Sequence, residues 1–97
     1  MGSHAFAETS VLSRAPNVAW RVLDGHAVLV APSSPLVHTL NSVGTFVWEI
    51  ADGRTVSTIL DAVVNEFAVT RTQAKADVEL FVQDLLNKHL ITVTGSP

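Results

Sequence analysis

Apolar and polar positions alternate from Val18 to Leu23, placing Val18, Trp20 and Val22 on one face of a strand. Asp24-Gly25 follows, a pair suited to a two-residue hairpin turn. His26-Ala27-Val28-Leu29-Val30-Ala31 then reads as a β-branched return strand. Pro32 and Pro35 bracket a loop, and Leu36-Val37-His38-Thr39-Leu40 alternates again as a short third strand. Prolines just before a strand mark it as an edge. From Asn41 the period changes. Asn41 is suited to an N-cap, and Val43, Phe46, Val47 and Ile50 recur at helical spacing. Trp48 falls off that face. Asp52-Gly53 ends this first helix, glycine being suited to a left-handed C-terminal position. Thr55 caps a second helix with Val56, Ile59, Leu60, Val63, Val64 and Phe67 as its apolar positions. Thr70-Arg71-Thr72-Gln73 reads as a capping box, with Gln73 reaching back to Thr70. It opens the longest helix, about 71–88, whose apolar face is Ala74, Val78, Phe81, Val82 and Leu85. Leu90 to Thr94 makes a final short strand.

The order is hairpin, third strand, three helices, last strand. It predicts an α+β fold: an N-terminal three-stranded antiparallel sheet packed on a three-helix bundle, with a short C-terminal strand, in the manner of a winged helix-turn-helix. Residues 1–15 are small and polar and read as a flexible arm, leaving 16–94 as the domain. Gly2, Ser3 and His4 have the look of an expression scar. Gly44, inside a helix, costs about 1 kcal/mol against alanine, and a strand packed closely over it is the expected reason.

Composition narrows the function. The chain has 97 residues, enough for one core, and its 47% hydrophobic and 15% charged content argues against disorder. There is no cysteine, so neither a disulfide nor a thiolate metal site is available. That is compatible with a cytoplasmic address. No apolar run approaches the roughly 20 residues needed to cross a bilayer, and no signal-peptide pattern opens the chain. Six basic and nine acidic residues give a net charge of −3, with no basic run for nucleic acid or an anionic membrane.

Catalytic chemistry is hard to assemble. His4, His26, His38 and His89 sit in different elements, and none forms a metal-binding pair. His26 reads as solvent-facing beside its turn. Asp77 and Asp84 lie seven apart on the longest helix but have no nucleophile or oxyanion donors near them in sequence. No glycine-rich phosphate loop exists. The expectation is no enzyme, no metal and no cofactor. The fold also admits a small winged-helix DNA-binding regulator, but on its recognition helix Arg71, Lys75 and Lys88 are cancelled by Asp77, Glu79 and Asp84. A peptide site is the stronger reading. The third strand can accept an added strand. Gln73, Asp77, Leu80 and Asp84 form a stripe beside the apolar helix face, so strand and stripe make two walls of a groove.

Three stretches carry a resemblance: PNVAWRVLDGHAVLVAP, LNSVGTFVWEIADGRTVSTIL and ADVELFVQDLLNKHLI. Together, over about residues 15–93, they resemble the PqqD-like family, the recognition elements for ribosomally made, post-translationally modified peptides. The marks are Leu40-Asn41, Trp48, Asp52 to Val56, and Asp77-Val78 with Phe81 and Leu85. The resemblance implies a non-catalytic domain, a peptide chaperone in natural product biosynthesis. It binds a precursor's leader as a strand and delivers it to a modifying enzyme, often a radical S-adenosylmethionine protein. Carried over by position, the strand wall is Leu36, Val37, His38, Thr39 and Leu40; the helix wall is Asp77, Leu80, Phe81 and Asp84. The chain departs from the quinone-cofactor proteins in Pro32 to Asn41, where they resemble PERG-L-LN, and in Val47-Trp48-Glu49. A stand-alone recognition protein for another modified peptide is the expectation.

Overall fold

The computed structural model describes residues 7–32 and 34–94. The scar positions and the closing Gly-Ser-Pro lie outside the described residues. Along the chain come β1 (Val11–Arg14), β2 (Ala19–Leu23), β3 (His26–Val30), β4 (Val37–Thr39), α1 (Ser42–Ile50), β5 (Arg54–Thr55), α2 (Val56–Phe67), α3 (Arg71–Asn87) and β6 (Ile91–Thr94). They make three helices and two three-stranded antiparallel sheets, ordered β2-β3-β4 and β5-β1-β6.

The β2–β3 turn forms as its residues require. Asp24 and Gly25 both take positive φ, +53° and +80°, the twist a two-residue hairpin needs. All three N-caps are made. Asn41 Oδ1 accepts from Gly44 N at 2.7 Å, Thr55 Oγ1 from Thr58 N at 3.1 Å and Thr70 Oγ1 from Gln73 N at 3.1 Å. The reciprocal half of the capping box is absent: Gln73 Nε2 donates forward to Asp77 Oδ1 at 2.9 Å. α3 ends in a Schellman motif. His89 is left-handed, its N–H bonded to the Leu86 carbonyl and the Leu90 N–H to that of Leu85.

The expected loose arm is corrected by β1. This strand is the centre of its sheet, pairing Leu12 with Arg54 of β5 and with Val93 of β6. Leu12 is fully buried. Arg14 carries the strand's second anchor. Its Nε donates to the Trp48 carbonyl at 3.1 Å and its Nη2 to the Glu49 carbonyl at 2.7 Å, while its own N–H donates to Asp52 Oδ1. Those carbonyls belong to the last turn of α1, where a helix leaves them unpaired and favours a cation. The last strand therefore joins this second sheet and not the hairpin sheet.

Trp48 is also corrected. It is fully buried, among the largest side chains in the core. It meets Trp20 of β2 edge-on, with ring centroids 5.9 Å apart. The Arg14 guanidinium lies over both rings, 4.8 Å from Trp20 and 5.5 Å from Trp48. The most buried stripe of α1 is Gly44, Val47, Trp48 and Ala51, one step round from the expected face; Val43, Phe46 and Ile50 are half-buried at its side. The helix packs on both β3 and α2, which widens its covered face.

Candidate functional site

β4 is an edge strand. It pairs with β3 in the register Val28–Thr39, Leu29–His38 and Val30–Val37, and its other side has no partner strand among the described residues. Antiparallel partners alternate between pairs that exchange hydrogen bonds and pairs that do not. Leu40 N bonds to the Ala27 carbonyl at 2.8 Å, which makes Ala27–Leu40 a bonded pair and therefore Leu29–His38 the next. The hairpin gives the same parity from the other side of β3, since Leu23 and His26 flank its turn as a bonded pair. Val37 and Thr39 thus direct their N–H and C=O groups outward, while His38 directs its own into the sheet.

Leu40 is the point where the edge closes. It is only 8% exposed. Its N–H is taken by Ala27, and its carbonyl receives His26 Nδ1 at 3.0 Å and the Thr45 hydroxyl at 3.4 Å. Thr45 Oγ1 also accepts the Ala27 N–H at 2.8 Å, so α1 takes over from β4 as the partner of β3. The expected strand wall of Leu36 to Leu40 shortens to β4 itself, with Leu36 exposed before it and Leu40 given to the core. His26, expected to face solvent, is half-buried through that contact.

Beyond Leu40 the chain enters a groove of about 400 Å³ lined by Asn41, Val43, Gly44, Asp77, Leu80, Phe81 and Asp84. All four helix positions expected from sequence meet here. Leu80 is 74% exposed. Gln73, the first of the stripe, is not in the lining. The facing wall is the first turn of α1, which sequence reasoning missed, and no residue of β4 lines the groove. The signal that marked this wall was Gly44. A β-carbon there would lie 2.8 Å from Phe81 Cε1, so the bare backbone makes room for the aromatic ring of α3. The close neighbour of Gly44 is thus a helix side chain and not a strand.

The cations of α3 and of its C-cap are engaged. Arg71 pairs with Asp61 and, at 2.8 Å, with Glu8; Lys75 also reaches Glu8; Lys88 pairs with Asp84 at 2.9 Å. The Arg71 hydrogen bond holds the Glu8 carboxyl below its usual pKa, and the bonds to Glu8 and Asp61 raise that of Arg71. No finding supports the DNA-binding alternative. No three histidine, aspartate or glutamate side chains cluster to hold a metal among the described residues. Nor is any helix there long and apolar enough to cross a membrane.

No curated protein matches the chain. Among solved structures it is similar to TbiB1 in complex with the TbiA(beta) leader peptide, with 26% identity and a TM-score of 0.76, over 81% of this chain and 93% of that one. The model of the family described as coenzyme PQQ synthesis protein D matches residues 26–91, which run from the start of β3 into β6 and take in both the free edge and the groove. By that match the chain belongs to the PqqD family.

Proposed function

We propose that this protein recognises the leader segment of a ribosomally made precursor peptide and presents it to a modifying enzyme, of which radical S-adenosylmethionine proteins are the expected kind. The observation that carries the reading is the free β4 edge leading directly into the groove between α1 and α3. The likeness to TbiB1, whose solved complex holds a leader peptide, supports it. The leader adds as a strand along Val37 and Thr39 and lays side chains over Leu80 and Phe81. Three helices beside a β-hairpin support a winged helix-turn-helix description, turned here to a peptide. The domain takes no catalytic part.

Each outward main-chain bond contributes about 1 kcal/mol net. A buried apolar leader side chain adds about 1.5–3 kcal/mol. Ordering a disordered leader costs roughly 2–5 kcal/mol. Strand pairing by itself barely offsets that cost, so the groove must supply the surplus.

The test is a pair of prolines. Val37→Pro removes an outward N–H and leaves the β3–β4 ladder intact, whereas His38→Pro removes a ladder bond. Titrating isotope-labelled protein with synthetic leaders of short precursors encoded near its gene reads the result. Val37→Pro should keep the native spectrum and weaken binding at least several-fold; His38→Pro should disturb the fold. Full leader affinity in folded Val37→Pro would place the peptide elsewhere.

A further inference from the structure

The groove has a charge pattern as well as an apolar floor. Asp77 and Asp84 stand seven residues apart on α3, about 10 Å along its axis, with Leu80 and Phe81 between them. The lining thus reads acid, apolar, acid along two turns of helix. An extended peptide returns a side chain to the same face every second residue, about 7 Å. For a peptide running along α3 with a side chain seated over Phe81 and Gly44, the positions two before and two after lie about 14 Å apart, a span from which long, flexible side chains turn inward to reach the two carboxylates.

Resting on the leader-binding reading above, we infer that this groove selects leaders in which a large apolar residue is flanked two positions away, on either side, by lysine or arginine. The ion pairs among the described residues do not include Asp77, whose only side-chain bond is from the neutral Gln73 amide. Asp84 is held by Lys88, but both side chains are about half exposed, 54% and 40%, so the pair exchanges readily for an incoming cation. Asn41, the remaining polar lining residue, is committed to capping α1. Its free Nδ2 amide is neutral, and no lining side chain brings a positive charge to an anionic leader residue. The floor takes an apolar side chain because Val43, Leu80 and Phe81 line it, with the Phe81 ring resting on the bare Gly44 backbone. An acidic leader residue in either flanking position meets like charge.

Display of a random 12-residue peptide library on the intact protein tests this, with Val37→Pro and Asp77→Asn/Asp84→Asn proteins selected in parallel. The wild type should enrich basic–x–apolar–x–basic peptides. The double asparagine variant should keep the apolar residue and lose the basic preference. Replacing both basic residues of an enriched peptide by glutamine should weaken binding to the wild type roughly tenfold, and to the double variant hardly at all. Peptides enriched for an apolar residue without flanking basic residues would overturn the inference and leave the leader reading standing. So would a basic preference that survives in the double variant. Enrichment that is the same on folded Val37→Pro protein would overturn both.

Discussion

Leu80 is the side chain on which the groove is most directly tested. It is an exposed leucine between two aspartates, and removing its apolar surface costs the fold little. Leu80→Asp should leave the circular dichroism and melting profile near those of the wild type while abolishing leader binding by calorimetry. Gly44 is the opposite case, hidden but decisive. Gly44→Ala improves helix propensity by about 1 kcal/mol, yet its β-carbon drives the Phe81 ring outward. Overpacking of this kind costs about 1–3 kcal/mol. The variant should melt at or below the wild-type temperature and bind leader more weakly, with the Phe81 ring resonances shifted. Both residues also show how far a sequence speaks for single positions. Leu80 stood out because a large apolar group among polar neighbours is visible in a pattern. Trp48 was misread because its stripe runs through Gly44 and Ala51, which carry too little apolar surface to register. The bulkier Val43, Phe46 and Ile50 marked a face one residue away.

Elements were legible where local chemistry specifies them. The hairpin and the three N-caps follow from short runs whose backbone preferences agree with the fold. β1 was not legible, because Val11-Leu12-Ser13-Arg14 has one core side chain and a charge, and its partners lie some 40 and 80 residues further on in the chain. Its role in the fold depends on Arg14, which closes the C-terminal turn of α1. Arg14→Ala should lower stability by roughly 1.5–3 kcal/mol in chemical denaturation, the scale of a charged hydrogen bond lost from a covered site. Arg14→Lys should recover little, since an ammonium cannot span both carbonyls while lying flat over the indoles. Equal stability of the alanine variant would show that these carbonyls are served by solvent.

At the scale of the molecule, the two sheets divide the work. β2-β3-β4 carries the free edge that the proposed function assigns to the leader, while β5-β1-β6 ties the two ends of the described chain together through Val11 and Thr94. The expectation found the hairpin, the third strand and the last strand, but missed β1 and the two-residue β5 and had no local signal for the pairing of β1 with β6. This predicts a sharp response to shortening. A protein starting at Ala15 loses the central strand, Leu12 and the Arg14 clamp together. It should unfold without a cooperative transition by calorimetry. Were residues 1–15 a dispensable arm, its melting curve would match the full chain.

The Trp20–Trp48 contact has a spectroscopic consequence. The chain contains two tryptophans and no tyrosine, so its ultraviolet emission comes from one coupled indole pair with a guanidinium over it. Neither indole lines the groove. Emission therefore gauges the junction of β1, β2 and α1, and a leader that docks without disturbing that junction leaves the native signal unchanged. A substitution that dims binding but not light has touched the groove; one that changes both has reached the frame.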